Sequence, residues 1–293
     1  MKITEAFERG EFVVTAEVGP PKGCHIENML EEAKTYLSDI TAVNVTDNQS
    51  SVMRLGSLAV CKALKDEGLT PIFQMTCRDR NRIALESDLL SAAMFGIENL
   101  LLLTGDHTKL GDHPQAKPVF DLDSVSLIHT VKQLESGVDL GGNELVGEPP
   151  KFAKGAVVSP CSYSVDVQLA KMERKVAAGA EYFQTQAVYE PEKFIQFMEK
   201  AKQFGKPVQL GIVIPKSVGM CRYMNANVAG IHIPEEMIDE LKADKEKTKA
   251  GITGVEIAAR IIRECKPYCQ GVHIMAMGWE SKVPSLLEQA GLR

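Results

Sequence analysis

Several polar side chains that could take part in chemistry stand inside or directly after apolar runs of the sequence. Glu17 lies in the run Val13–Val18, where an unpaired carboxylate would be expensive to bury. Burial favours the protonated form of a carboxyl group, which is the form that a general acid needs. Glu17 is therefore a candidate general acid, and the alternative is a Glu that pairs with an Arg or Lys inside the protein.

Two amides occupy alternate positions of another run, Glu181–Ala187. A strand places Gln184 and Gln186 on the same face. If Phe183 and Thr185 face outward, both amides point into the protein, where they need hydrogen-bond partners. A bound ligand is one source of such partners, so the pattern predicts a ligand site at Gln184 and Gln186.

Three further runs end in small polar residues. Thr46 and Thr76 could hold a polar ligand by hydrogen bonds, although such residues also cap the helix that follows. The run Asn99–Thr104 leads directly into Gly105 and Asp106. Gly105 would let a ligand approach the backbone closely, and Asp106 could bind a positive or hydrogen-donating ring or simply form a turn.

A segment with helical spacing, Asp166 to Gly179, carries a group of basic residues. Lys171, Arg174 and Lys175 lie on its charged side. One of these cations could reach a phosphate, and the alternative is an ordinary solvated helix face.

Most of the candidate residues lie near the C-terminal end of one of eight short apolar runs, or directly after it. The runs are too short for buried helices, and longer segments with helical spacing separate them. Eight strands that alternate with helices predict an α/β fold, the (β/α)8 TIM barrel, whose site is built at the C-terminal ends of the strands. The runs are Val13–Val18, Thr41–Thr46, Pro71–Thr76, Asn99–Thr104, Gly155–Ser159, Glu181–Ala187, Val208–Ile212 and Gly271–Met275.

No linker divides the chain, so we predict a single domain over residues 1–293. The one long stretch rich in Gly and Pro, Ser136–Lys154, is too short to join independent domains and is predicted to be an elaborated loop before the fifth strand.

Composition and net charge limit the class of protein and the partners that it can have. With 44% hydrophobic and 25% charged residues the chain is typical of a soluble globular protein. A net charge of -6 argues against nucleic-acid and anionic-membrane partners. No apolar run reaches the length of a membrane span, and the N-terminus lacks a signal-peptide core, so we expect a cytoplasmic protein.

Sequence motifs exclude several classes of site. The seven cysteines are scattered and include no Cys-x2-Cys pair, so we expect reduced thiols and no metal site. There is no Gly-x-Gly-x-x-Gly after a strand, no phosphate-binding loop of the Walker type and no Gly-x-Ser-x-Gly elbow.

Six segments together point to a known family. Each is weak alone, but all six stand in the family's order at matching strand ends. Over essentially its whole length the chain resembles the 5,10-methylenetetrahydrofolate reductases, flavin-dependent (β/α)8-barrel enzymes of one-carbon metabolism. The segments are TAEVGPP, VNVTDN, QMTCRD, LLLLTGD, ERKVAAGAEYFQTQAVYE and GIVIP.

The resemblance implies an activity. A proton delivered to the leaving nitrogen opens the ring of 5,10-methylenetetrahydrofolate, and hydride from N5 of the reduced flavin then gives 5-methyltetrahydrofolate. It implies that Glu17 is the general acid and that Asp106 stabilises the cationic intermediate. It implies that Gln186 is the substrate-binding amide, and with the inward amide Gln184 it forms the predicted folate site. The implied flavin contacts are Thr46, Gln74, Thr76, Gly105, Asp106 and, for the phosphate, Lys175.

Three departures from the family pattern concern the flavin and the electron donor. Thr104 replaces the family's Arg, and Gln168 stands near where many members have an Asp, so the flavin is FAD or FMN. The strip Gly211–Arg222 has no aromatic residue where NADH-using members commonly have a Phe. The donor is accordingly NAD(P)H or a partner subunit with iron–sulfur clusters or zinc, and we expect an oligomer or hetero-complex.

Two alternative functions fit the same sequence. One is a folate- or pterin-binding methyltransferase barrel without flavin. The other is a subunit of a larger redox complex that holds a flavin without being catalytic itself.

Overall fold

Eight parallel strands close into a barrel in chain order, from β1 to β8, in the computed structural model, which describes residues 1–293. Every neighbouring pair is parallel, including the closing pair β1 and β8. The strands are β1 Val13–Val18, β2 Ala42–Val45, β3 Pro71–Thr76, β4 Asn99–Leu103, β5 Ala153–Val158, β6 Tyr182–Ala187, β7 Val208–Val213 and β8 Gly271–Met275.

Helices separate the strands and cover the outside of the barrel, except for α1, which precedes β1 and lies across the N-terminal end. They are α1 Ile3–Glu8, α2 Glu27–Tyr36, α3 Ser57–Asp66, α4 Arg82–Met94, α5 Ser124–Leu134, α6 Val165–Ala178, α7 Pro191–Ala201, α8 Val218–Asn227, α9 Glu235–Ala243, α10 Lys245–Lys249, α11 Ile252–Cys265 and α12 Val283–Gln289. Short 3-10 helices lie at Gln49–Ser51, Thr108–Leu110, Lys202–Phe204, Lys266–Tyr268 and Glu280–Lys282. None of these helices is long and apolar enough to cross a membrane.

The predicted (β/α)8 TIM barrel is confirmed, and most predicted strands begin and end within one residue of the observed ones. The fifth strand is the exception, because it begins at Ala153, inside the stretch predicted to be a loop. Its second residue, Lys154, is only 6% exposed. Its ammonium pairs with Glu135 at 2.8 Å and Glu181 at 2.9 Å, which compensates the buried charge. Neither partner is a sequence neighbour of Lys154, so the local sequence does not indicate that this lysine can be buried in a strand.

The interior of the barrel is layered along its axis. At the N-terminal end an apolar cluster closes the barrel, with Ile3 and Ala6 of α1 packed against inward side chains of six strands. The backbone N–H of Ile3 donates to Oδ1 of Asn99 at 2.7 Å, which fixes α1 across this end. A separate, larger core of 64 buried residues fills the space between the strands and the helices. Because the lower end is plugged, the interior opens only toward the C-terminal ends of the strands.

Tyr182 fills the middle of the apolar layer. Its ring is fully buried, and its hydroxyl reaches across β5 to donate to the carbonyl oxygen of Leu100 on β4 at 2.8 Å. The ring passes directly over Gly155, where a Cβ would lie 2.7 Å from the same carbonyl oxygen and inside contact distance of the phenol. Glycine at 155 is therefore required by packing.

We expect Gly155→Ala to lower the free energy of unfolding by about 1–3 kcal/mol, because the methyl group overpacks the Tyr182 layer. Urea-induced unfolding would measure the change. Gly23→Ala is the matched control, since no atom lies within 4 Å of a Cβ there and its φ is unexceptional. Equal stability of the two variants would contradict the packing argument.

Candidate active site

A cavity of about 430 Å³ opens at the C-terminal ends of the strands. Its volume lies in the range of small-molecule sites, but only five of the 26 residues that line it are hydrophobic. The structure brings all the predicted site residues together here: Glu17, Thr46, Gln74, Thr76, Gly105, Asp106, Lys175, Gln184 and Gln186. Alternation within the strands turns part of this set inward, and the other residues directly follow a strand end or, for Lys175, come from α6.

Glu17 stands near the floor of the cavity and is 6% exposed. Its neighbours are not the Arg or Lys of the alternative interpretation. Oε2 lies 3.7 Å from Nε2 of His273 on β8, and Oε1 accepts a hydrogen bond of 3.3 Å from the exposed amide of Gln49. The carboxyl group thus faces the cavity between an imidazole and a loop amide, with no cation of Lys or Arg paired to it.

Gln184 finds its partners within the protein. Its amide bonds with both amide atoms of Asn44, at 2.9 and 3.2 Å, and donates to Oε1 of Gln209 at 3.1 Å. It also lies 3.3 Å from the hydroxyl of Thr15. The inward direction predicted for Gln184 is correct, but these contacts supply the partners that the sequence argument expected from a ligand.

Gln186 is more open than Gln184, and it lines the cavity half-buried. Simple alternation does not hold at Thr185, because the pairing of β6 with β7 shifts register between Gln184 and Ala187. In this bulge the Thr185 hydroxyl accepts the backbone N–H of Gly211 at 2.8 Å, in place of a ladder carbonyl. The bulge therefore brings Thr185, as well as both glutamines, to the cavity wall.

Thr46 carries the one buried side-chain polar atom that has no hydrogen-bond partner. Its Oγ1 lies at the wall of the cavity, where the alternative interpretation as a helix cap does not apply. A buried hydroxyl without a partner costs about 1–3 kcal/mol, so a polar ligand that reached this oxygen would relieve that cost.

Thr76, in contrast, is already engaged. Its backbone N–H and its hydroxyl both donate to Oδ2 of Asp47 at 2.8 Å. The guanidinium of Arg80 closes on the two oxygens of Asp47 at 2.8 and 2.9 Å. Thr76 can therefore offer a ligand only its hydroxyl lone pairs, and Asp47 with Arg80 locks the ends of β2 and β3 together.

Gly105 and Asp106 form the wall beyond β4. Gly105 has a φ of +90°, and a Cβ there would lie 3.0 Å from Cβ of Thr76, so the turn requires glycine. The Asp106 side chain is exposed and lines the cavity, while its carbonyl oxygen accepts from the buried guanidinium of Arg78 at 3.4 Å. Gln74, which is 6% exposed, lies beside them on β3.

Lys171 and Lys175, on α6, bring positive charge to the cavity wall on the side of β5. The ammonium of Lys175 donates to the carbonyl oxygen of Val157 at 2.6 Å. Burial, and then the neighbouring Lys171 cation, lower the pKa of Lys175 to about 8. The pair therefore forms a concentrated positive site below about pH 8 and loses half of its charge above it.

Two of the three departures from the family pattern, Gln168 and Thr104, have structural roles of their own. Gln168 accepts the backbone N–H of Ser159 and donates to the hydroxyl of Ser162, both at 3.3 Å, which holds the loop after β5 at the cavity edge. The Thr104 hydroxyl accepts the N–H of Ser124 at 3.1 Å and so anchors the start of α5.

Sequence reasoning missed three residues of the site. His273 escaped because one histidine in an apolar run carries no pattern, although its inward position follows from alternation within β8. Arg78 is 2% exposed and binds Asp79, but an Arg next to an Asp in a polar segment does not by itself indicate burial. Asp47 could have been suspected, since it directly follows the predicted strand end.

A comparison with protein families is decisive. The family model described as methylenetetrahydrofolate reductase matches residues 2–291. The chain belongs to the methylenetetrahydrofolate reductase family.

Curated members of the family are distant relatives. The 5,10-methylenetetrahydrofolate reductase of Escherichia coli is 24% identical over 265 residues, which cover 87% of this chain and 82% of the relative. Methylenetetrahydrofolate reductase 2 of Schizosaccharomyces pombe is also 24% identical, over 80% of this chain. The matched region spans only 38% of the length of that yeast protein.

Solved structures agree on the fold. An uncharacterised Clostridium thermocellum protein, described as binding two copies of 5-methyl-5,6,7,8-tetrahydrofolic acid, superposes with a TM-score of 0.68 at 15% identity. The match covers 99% of this chain and 98% of that protein. A 2,3-dimethylmalate lyase matches less well, with a TM-score of 0.51 at 10% identity over 99% of this chain and 85% of its own. At these identities the likeness concerns the barrel alone.

The two lysines of α6 generate a prediction. In Lys171→Gln the pKa of Lys175 should rise above about 8, because the repelling cation is gone. NMR titration of the protein with its lysines 13C-methylated would show one lysine with a low pKa, moved upward by the substitution and unmoved by Lys62→Gln on distant α3. If every lysine titrates near its ordinary value of about 10.4, the argument fails.

Proposed function

We propose that this chain reduces 5,10-methylenetetrahydrofolate to 5-methyltetrahydrofolate with a bound flavin, FAD or FMN. Membership of the reductase family supports the substrate and the reaction. The observation that carries the mechanism is Glu17, a nearly buried carboxyl group that faces the cavity with no Lys or Arg paired to it.

The residues present fit a flavin. Such a cofactor has a polar ring edge and at least one phosphate, so it needs hydrogen-bonding groups and positive charge. The unpartnered hydroxyl of Thr46 and the amide of Gln74 offer the first, and Lys175 with Lys171 offers the second. Gly105, with its φ of +90°, shapes the wall beside these groups, and the side chains of Thr76 and Arg78 already fill the space next to it. When bound, the flavin would supply the hydride.

Glu17 would act on the folate. The methylene carbon bridges two nitrogens and accepts hydride only after one C–N bond opens. Opening requires a proton on the leaving nitrogen, and the Glu17 carboxyl would provide it. The exposed carboxylate of Asp106, across the cavity, would stabilise the positive charge that forms on the substrate as the ring opens.

Folate binding is proposed for the wall formed by β6. Gln186 is half-buried at the cavity and its side chain bonds only to the adjacent backbone N–H of Ala187, at 3.3 Å. Its amide can therefore turn to the donors and acceptors of a pterin ring. Gln184 would form part of the floor on which the folate ring lies, since its hydrogen bonds to Asn44 and Gln209 hold it there.

For the electron source we propose a partner subunit that carries iron–sulfur clusters. The strip Gly211–Arg222 has no aromatic side chain on which a nicotinamide could stack. The next aromatic residue, Tyr223, lies outside this strip on α8 and is 64% exposed. No group of three or more His, Cys, Asp and Glu side chains in this chain could hold a metal ion. The partner would therefore have to bring the clusters.

The central substitution is Glu17→Gln, which removes the acidic proton and preserves the shape. We expect flavin content to be unchanged and folate reduction to fall by about a hundred- to ten-thousandfold, the usual contribution of general acid catalysis. Single-turnover oxidation of the reduced holoprotein by methylenetetrahydrofolate would measure it. Glu27→Gln, at an exposed carboxylate on α2, is the matched control. Near-normal turnover of Glu17→Gln would remove Glu17 from the mechanism.

A further inference from the structure

A line of three side chains runs from the interior of the barrel to the cavity. The hydroxyl of Thr15 on β1 lies 3.0 Å from Nδ1 of His273 on β8. On the other side of the imidazole, Nε2 faces Oε2 of Glu17 at 3.7 Å. All three residues are at most 6% exposed, so water cannot freely replace their contacts.

The surroundings of Thr15 determine which way its hydroxyl points. Its oxygen lies within reach of two amide N–H donors, from Gln209 at 3.1 Å and from Gln184 at 3.3 Å. A threonine hydroxyl has two acceptor lone pairs and a single proton to donate. The acceptors open to that proton are Nδ1 of His273, at 3.0 Å, and the carbonyl oxygen of Val272, at 3.5 Å.

The geometry favours donation from Thr15 to Nδ1. A hydrogen bond at 3.5 Å is long for a hydroxyl donor, and the Val272 carbonyl already accepts from the amide of Gln209 at 3.2 Å. If Nδ1 accepts, the proton of the neutral imidazole must reside on Nε2. That N–H then points toward the Glu17 carboxyl group.

We propose that His273 is a positioning residue for Glu17, with its tautomer fixed by Thr15. The Nε2–H would hold Oε2 of Glu17 in place and stabilise the carboxylate left after the proton has gone to the substrate. This role rests on the function proposed above, because it concerns the proton that Glu17 donates. The 3.7 Å separation is longer than a hydrogen bond, and the proposal requires it to shorten when substrate binds, as catalytic hydrogen bonds often do.

The second oxygen of Glu17 faces a different kind of group. Gln49 is exposed, and its amide donates to Oε1 at 3.3 Å. An amide can rotate to present its oxygen instead, so it can serve a protonated as well as an ionised carboxyl group. His273, with its tautomer fixed, offers only a donor. The fixed and adaptable partners together orient Glu17 before and after proton transfer.

The tautomer can be measured without any assay of activity. Long-range 1H–15N correlation spectra of the 15N-histidine-labelled protein, above neutral pH, distinguish protonated from unprotonated ring nitrogens. The chain has six histidines, and the signals missing in His273→Gln assign residue 273. We expect an unprotonated Nδ1 and a protonated Nε2. A protonated Nδ1 would overturn the inference.

Two amide substitutions of His273 distinguish the contribution of Nε2, which faces Glu17, from that of Nδ1, which faces Thr15. Gln places its N–H near the position of Nε2 and keeps the donor to Glu17, whereas Asn reaches only the position of Nδ1 and contacts Thr15 alone. We expect His273→Gln to retain turnover within about threefold, and His273→Asn to lose about ten- to a hundredfold in kcat with little change in KM. Equal losses in the two variants would contradict positioning through Nε2.

Failure of the inference and failure of the proposed function give different results. If the wild-type holoprotein does not reduce methylenetetrahydrofolate, the proposed function is wrong, and the tautomer of His273 alone decides whether the Thr15–His273–Glu17 arrangement exists. If the wild type is active and Nδ1 carries the proton, the function stands and the inference is wrong.

Discussion

The need to give every buried polar group a partner shapes the interior of this barrel. Between the apolar plug at one end and the cavity at the other lies a layer formed by Thr15, Asn44, Gln184 and Gln209, whose side chains bond to one another across the axis. Such a network is stable only when its members are satisfied together. It forms a rigid polar floor, and Glu17 and His273 stand directly on it.

A second set of contacts fixes the cavity walls. The loops after parallel strands have no ladder to hold them, yet the ends of β2 and β3 are joined by the buried Asp47 and its bidentate partner Arg80. Arg78 reaches the carbonyls of Asn48 and Asp106 and so ties in the loop after β4. These charged groups thus hold the cavity-lining residues at the ends of three strands in position. Thr46 is the exception, because its buried hydroxyl has no hydrogen-bond partner.

The barrel could be predicted from the sequence because its signal is repeated. Eight apolar runs of similar length, each followed by polar residues, leave few alternatives for a chain of this size. The candidate site followed, since alternation within each strand determines which residues point inward. Prediction failed where a distant contact outweighs the local pattern. The start of β5 was missed because it contains the charged Lys154, whose burial depends on Glu135 and Glu181. The position of Thr185 at the cavity wall was missed because it depends on the bulge in β6. The partners of Gln184 come from three other strands, and no local pattern shows whether they are protein or ligand groups.

The most direct measurement is the oxidative half-reaction of the wild-type chain. The purified protein would be loaded with FAD or FMN, reduced without oxygen and mixed with 5,10-methylenetetrahydrofolate while the flavin absorbance is followed. We expect the oxidised flavin spectrum to return, with one 5-methyltetrahydrofolate formed per flavin. A chain that takes up no flavin, or a reduced flavin that stays reduced in the presence of bound folate, would contradict the account.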